Sequence, residues 1–233
     1  MPKKILGRMS CLSDRIMVRF DHKAEITALY KAKTGMMLRW LDGEKRPNAE
    51  VLKPHMLRED VWGLVKQQQD FCWSNVNFKP DYIIIDSFSD VKDQEFRHKT
   101  EGWSWCAVDT DMKLDENFFN TYEQIPFPSS EEIEASLDKL FAIIKQKYDV
   151  PVIYLHYSTK FETREDFADR GEGLIESLDK LSSKYSFVHS IHLPYDKVFP
   201  DKDGDPYHIH NDSLYEYVNK MNQLPIVNKI KDN

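Results

Sequence analysis

The chain is poor in cysteine, in glycine and in long apolar runs. Its cysteines are Cys11, Cys72 and Cys106, widely spaced and without a Cys-x-x-Cys pair, which argues against a disulfide framework and against a zinc knuckle. They read as reduced, mostly interior thiols. Eight glycines occur in 233 residues, and Gly7-Arg8-Met9-Ser10 lacks those that let a backbone approach a pyrophosphate after a first strand. A nucleotide-binding or glycosyltransferase domain is disfavoured on that ground. No stretch approaches the roughly 20 apolar residues of a membrane span, and Lys3, Lys4 and Arg8 interrupt the start of the chain where a signal peptide needs an unbroken apolar region. The expectation is a soluble, cytoplasmic protein with no integral membrane segment. Long basic blocks are missing as well: 32 Lys and Arg stand against 39 Asp and Glu, a formal net charge of -7, so nucleic acid is not the expected partner.

What is present suits a globular enzyme-sized unit. An apolar content of 41% with 12% aromatics supports a sizeable core and one α/β domain over residues 1–233. Lys3 to Gly7 reads as a short strand, Leu12 to Phe20 as a helix and Ile26 to Tyr30 as a second strand. Residues 31–78 are mixed, with helices and loops expected over one side of a sheet. Tyr82-Ile83-Ile84-Ile85-Asp86 is a continuous apolar run bounded by turn residues, the pattern of a central parallel strand buried on both faces. A poorly defined insertion occupies about 93–125.

The second half alternates more regularly. Ser129-Ser130-Glu131-Glu132 fits a capping box opening a helix through Tyr148, with Ile133, Leu137, Leu140, Phe141 and Ile144 as its apolar stripe. Strands at Val150 to Leu155 and Phe187 to His192 alternate with helices at about Arg164 to Lys184 and Asp212 to Met221. This order predicts a three-layer α/β/α sandwich with a mainly parallel central sheet. Ligands of such sheets bind beyond the carboxyl ends of the strands. Ser10, Asp86 to Asp90, His156 and His192 fall there, with Asp205 and His208 on the loop that follows.

Ser10 lies between a strand and a helix, where unpaired N–H groups of the first helical turn can stabilise an oxyanion. An ordinary helix cap is the plainer role for a serine at such a place. Asp205-Pro206-Tyr207-His208 offers a partner: a carboxylate three residues before an imidazole can hold Nδ1–H and leave Nε2 to take a serine proton. A solvated acidic loop beside a helix start is the competing reading of the same residues.

These features resemble the SGNH or GDSL-type hydrolases, which carry a serine after the first strand, a Gly-x-Asn-Asp block after a central strand and Asp-x-x-His before the last helix. Ser87-Phe88-Ser89-Asp90 occupies the place of the middle block, and Asp205 to His208 matches the last. The chain is most similar to a subgroup found with capsule and surface-polysaccharide genes, whose N-terminus reads Gly-Ser-Cys-x-Ser-Arg-Asp and whose C-terminal Pro-Phe-His precedes a Tyr-rich helix. Ser10-Cys11-Leu12-Ser13 and Pro206-Tyr207-His208 with Tyr215 and Tyr217 correspond to these. Met9 replaces the glycine, Asp14-Arg15 inverts Arg-Asp, and Ser89 stands where the oxyanion asparagine would be.

The resemblance implies acyl transfer on carbohydrate esters, with O-acetyltransferase of a bacterial capsular or surface polysaccharide ahead of an esterase. Ser10 would be the nucleophile, His208 its base and Asp205 the orienting acid. Cys11 and Ser89 would supply oxyanion donors. Acetyl-CoA would be the acyl donor, with no bound cofactor, and a carbohydrate the partner. Arg15, Asp86, Trp103, His156, His192 and His210 are the candidates for substrate contact, Trp103 with Trp105 as an aromatic platform or as core. Cys11 as the nucleophile ranks lower, as does a metal held by the rim histidines with Asp86, since no H-E-x-x-H or comparable spacing supports a metal. A non-catalytic binding protein with a degraded site is the alternative that Met9 and Ser89 favour.

Overall fold

A computed structural model describes residues 2–71, 73–202 and 208–227 of the chain. Its first half runs β1 (Lys4–Met9), α1 (Cys11–Phe20), β2 (Glu25–Tyr30), α2 (Thr34–Leu41), α3 (Ala49–Leu52), α4 (Glu59–Asp70), β3 (Tyr82–Asp86) and α5 (Phe88–Lys92). There follow β4 (Gln94–His98), β5 (Ser104–Ala107), α6 (Glu116–Thr121) and β6 (Tyr122–Ile125). The remainder is α7 (Ser130–Lys147), β7 (Val152–Leu155), α8 (Glu165–Lys184), β8 (Val188–Ile191) and α9 (Asn211–Gln223).

Five strands form a parallel sheet in the order β2-β1-β3-β7-β8. All five residues of β3 are buried, as the unbroken Tyr82 to Asp86 run predicts for a strand covered on both faces. Helices α1 and α9 pack together over one face, and α2, α7 and α8 cover the other. The fold is therefore the predicted α/β/α sandwich. Helix α7 opens on the expected capping box, with the Ser129 side chain accepting from Glu132 N–H and the Glu132 carboxylate accepting from Ser129 N–H. Its buried face is Ile133, Leu137, Leu140, Phe141 and Ile144. Each such side chain contributes about 1.5–3 kcal/mol by leaving water.

The insertion at 93–125 is a second sheet, antiparallel and ordered β5-β4-β6. Gly102, at φ +76, allows the turn that joins β4 to β5. Phe96, Trp103, Trp105, Phe118 and Tyr122 form a separate apolar cluster with Leu52 of α3 and Val61 and Val65 of α4. The mixed segment 31–78 thus splits its work: α2 packs on α7 and α4 on β2 and β5.

Strand order reverses between β1 and β3, because the chain leaves β1 toward β2 and returns to the other side. The crevice of a doubly wound sheet lies at such a reversal, outside the carboxyl ends of the strands. Met9 and Asp86 are the last residues of the two strands, and Ser10 follows Met9 directly.

Candidate active site

Ser10 caps α1 with extended backbone, and its Oγ accepts the Leu12 N–H at 3.2 Å. The capping role expected of an ordinary serine is therefore filled. The same hydroxyl also donates to Asp86 Oδ2 at 2.7 Å, and the Ser10 N–H donates to that oxygen at 2.7 Å. The Ser13 hydroxyl, one helical turn on, donates to it as well. Three donors from one tight turn converge on a single carboxylate oxygen, while Asp86 Oδ1 accepts the Phe88 N–H at 3.1 Å. Asp86 is buried, and burial pushes its carboxyl above the usual range, partly offset by the Ser13 and Ser10 hydroxyls and by Arg8.

Arg8 fixes this corner from below. Its guanidinium donates to the Asp86 main-chain carbonyl at 2.7 Å and to the Ala32 carbonyl at 2.8 Å, and it pairs with Asp90 at 2.8 Å. Asp90 in turn accepts the Thr34 N–H at 2.7 Å and its hydroxyl at 2.8 Å, which ties the start of α2 to the same cluster. The ends of β1 and β3 and the segment after β2 are stitched together by one buried cation.

Ser10 and Cys11 open onto a cleft of about 270 Å³, near the small end of the roughly 300–1,000 Å³ usual for ligand pockets. His208, from the far end of the chain, lines the same cleft. Met9, Val61, Leu64, Phe88 and Val108 make its apolar wall. Tyr30, Lys31, Arg58, Asp60, Thr110 and Asp111 supply its polar groups. Lys31, in the left-handed region at φ 56, reaches Asp93 at 3.4 Å and Asp111 at 3.7 Å. Burial works against its charge, but the two carboxylates outweigh it and raise the lysine above its ordinary value. Arg58 pairs with Asp60 and, at 3.3 Å, with Asp111.

The other predicted residues are placed as follows. Asp205 lies outside the described residues. Cys11, the first residue of α1, presents one of the N–H groups that a helix leaves without an intrahelical acceptor. Ser89 is buried in α5, and Phe88 rather than Ser89 faces the cleft from that segment, so the expected second oxyanion donor is corrected. Asp86 is not a substrate contact either: it is turned inward onto Ser10. Trp103 has no exposed surface and packs on His98 and Tyr122, so it belongs to the core of the second sheet and offers no platform to a sugar.

Four rim candidates lie apart from the cleft lining. Arg15 is drawn to Asp201 at 3.4 Å across the surface. His156 is buried against Ser190 Oγ at 2.8 Å, and burial, with His192 nearby, pushes its imidazole down to about 3. His192 is exposed, its ring 6.2 Å from that of His156. His210 caps α9, its Nδ1 accepting the Asp212 N–H at 3.3 Å. Among the described residues no group of three or more His, Cys, Asp or Glu side chains could hold a metal ion, and no helix is long and apolar enough to cross a membrane.

Sequence reasoning missed Tyr30, the last residue of the expected second strand, and Lys31, Arg58, Asp60, Thr110 and Asp111, which come from the two segments without periodicity. It also missed Ser13 as a partner of Asp86, although Ser-x-x-Ser at a helix start is a visible capping pattern. No protein-family model and no curated protein matches this chain.

Proposed function

We propose that the chain is a serine-dependent acyl-transfer enzyme acting on carbohydrate esters, first of all an O-acetyltransferase of a bacterial capsular or surface polysaccharide. The observation that carries this reading is the meeting of Ser10 and His208, from opposite ends of the sequence, in one cleft at the strand-order reversal. Ser10 takes the acyl group, the Cys11 N–H points donor character at the developing oxyanion, and the His208 imidazole handles protons on the exchanging oxygens. The polar wall suits a sugar: Asp60 and Asp111 can accept from ring hydroxyls, Arg58 can donate to them, and Phe88 offers an apolar ring. Acetyl-CoA is the proposed acyl donor. With water in place of a sugar hydroxyl the same site is an esterase.

The competing reading is a carbohydrate-binding protein without turnover. It draws on the Ser10 hydroxyl, whose proton is directed to Asp86 and whose lone pair caps α1. Release of p-nitrophenol from p-nitrophenyl acetate, with and without capsular glycans and acetyl-CoA, separates the two. Turnover lost in Ser10→Ala and His208→Ala and accelerated by a glycan is the expected result. Equal inertness of wild type and both variants under every donor and acceptor would leave the binding protein.

A further inference from the structure

The resemblance assigns the Ser10 proton to His208, but the hydroxyl is hydrogen-bonded elsewhere. Its donor bond runs 2.7 Å to Asp86 Oδ2, in a corner held rigid by Arg8 and by the first turn of α1. We propose, resting on the acyl-transfer reading, that Asp86 is a catalytic residue that takes the Ser10 proton as the serine is acylated, which leaves His208 to serve the leaving and the incoming oxygen.

The steps balance. Ser10 Oγ adds to the acyl carbonyl carbon while its proton passes to Asp86 Oδ2, and the carbonyl π pair moves onto oxygen. That pair returns as the bond to the leaving oxygen or sulfur breaks, and the leaving atom takes a proton from the His208 imidazolium. In the second half the sugar hydroxyl gives its proton to neutral His208 and attacks the acyl carbon. Ser10 Oγ then departs with the proton returned by Asp86. Both groups finish as they began.

Three features favour a carboxylate in this role. The contact is direct and already at hydrogen-bond distance. The carboxylate is buried beneath the serine, where solvent does not compete for the proton. Burial also raises its basicity above that of a surface aspartate, although the Ser13 and Ser10 hydroxyls and Arg8 work against this. Besides Asp90 of α5, which shares the Arg8 guanidinium with it, the ionisable groups facing it are Arg8 from β1, Tyr154 from β7, Tyr30 at the end of β2 and Tyr217 from α9. Burial keeps the three tyrosines protonated well past neutrality, so Arg8 is the one charged neighbour among these four.

The test is the pre-steady-state burst of p-nitrophenolate from p-nitrophenyl acetate, because that leaving group departs without a proton. His208→Ala is expected to keep the burst rate within a few-fold while losing transfer to the glycan. Asp86→Asn is expected to lose the burst by about 10²–10⁴-fold, the usual range for a general base. Should Asp86→Asn fail to fold, Ser13→Ala tests the same step. Removing one donor makes Asp86 more basic, so the acidic limb of the burst rate moves up by roughly half a pH unit or more. A burst lost in His208→Ala, or an acidic limb unmoved in Ser13→Ala, overturns the role of Asp86 and leaves acyl transfer through Ser10 standing. A burst retained in Ser10→Ala overturns both.

Discussion

Arg8 and Asp90 meet at 2.8 Å with side chains 1% and 4% exposed, a buried ion pair directly beneath the turn that carries Ser10. Neither charge stands alone. The guanidinium also serves the carbonyls of Ala32 and Asp86, and the carboxylate takes both donors of Thr34. The pair is the point at which β1, β3 and the entry to α2 are held in mutual position, and with them the geometry between Ser10 and Asp86.

Asp90→Leu leaves the guanidinium buried without its counter-ion, which costs about 3–5 kcal/mol. Replacing Arg8 by Met in the same chain removes the stranded charge and is expected to recover a large part of that loss. Urea unfolding of the two single variants and the double variant measures the coupling. Costs that simply add would show that the pair is not the unit holding this corner.

The parts of this arrangement that were legible in the sequence are those set by local pattern. Tyr82 to Asp86 announces a doubly covered strand because no polar residue interrupts it. Ser129 and Glu132 announce the start of α7 because both halves of the capping box are three residues apart. The second sheet was not legible, since its strands are only four or five residues long and two of them, β4 and β5, are covered on both faces over most of their length, so Ser104 to Ala107 shows no alternation of exposure. Ser10 was found from its place after β1, but its bond to Asp86 joins residues 76 apart and has no local signature. Lys31 and Arg58 share the carboxylate of Asp111 for the same nonlocal reason.

Trp103 shows how one residue type misleads when context is missing. Alternation of Trp103 and Trp105 is consistent with an exposed aromatic face, yet both are enclosed with Phe96, Phe118 and Tyr122. Trp103→Ala should therefore cost about 3–5 kcal/mol of stability through the cavity it leaves. At a temperature where the variant is folded, its KM for a glycan acceptor should stay within a few-fold of wild type. A KM raised tenfold or more with little loss of stability would return Trp103 to the binding surface.

His156 gives the protein an acid-sensitive element. Burial, and secondarily His192, holds its imidazole down at about 3, below the unfolded value of about 6.5. The unfolded chain therefore binds a proton that the folded chain refuses, and stability falls as pH drops below about 6.5 and continues to fall toward 3. Between pH 7 and pH 5 the loss amounts to about 2 kcal/mol. His156→Gln keeps a side chain able to bond Ser190 and removes the titration. Urea midpoints at the two pH values should show the variant gaining on wild type by about that amount at pH 5, and parallel curves would mean that His156 is protonated within the fold.

Ser89 and Cys11 were both expected to serve the oxyanion, and the structure separates them. An oxyanion donor must stand about 3 Å from the oxygen that gains charge, and its loss costs about 10²–10³-fold in rate. Ser89 is enclosed in α5, while Phe88 takes the wall of the cleft and Ser89 is not part of its lining. The Cys11 group is a main-chain N–H at the head of α1, next to the Ser10 cap, and of the twenty side chains only proline would remove it. Ser89→Ala should accordingly acylate within about threefold of wild type in the p-nitrophenyl acetate burst. A hundredfold loss in a variant of unchanged stability would mean that α5 opens when substrate binds and that Ser89 joins the reacting oxygen after all.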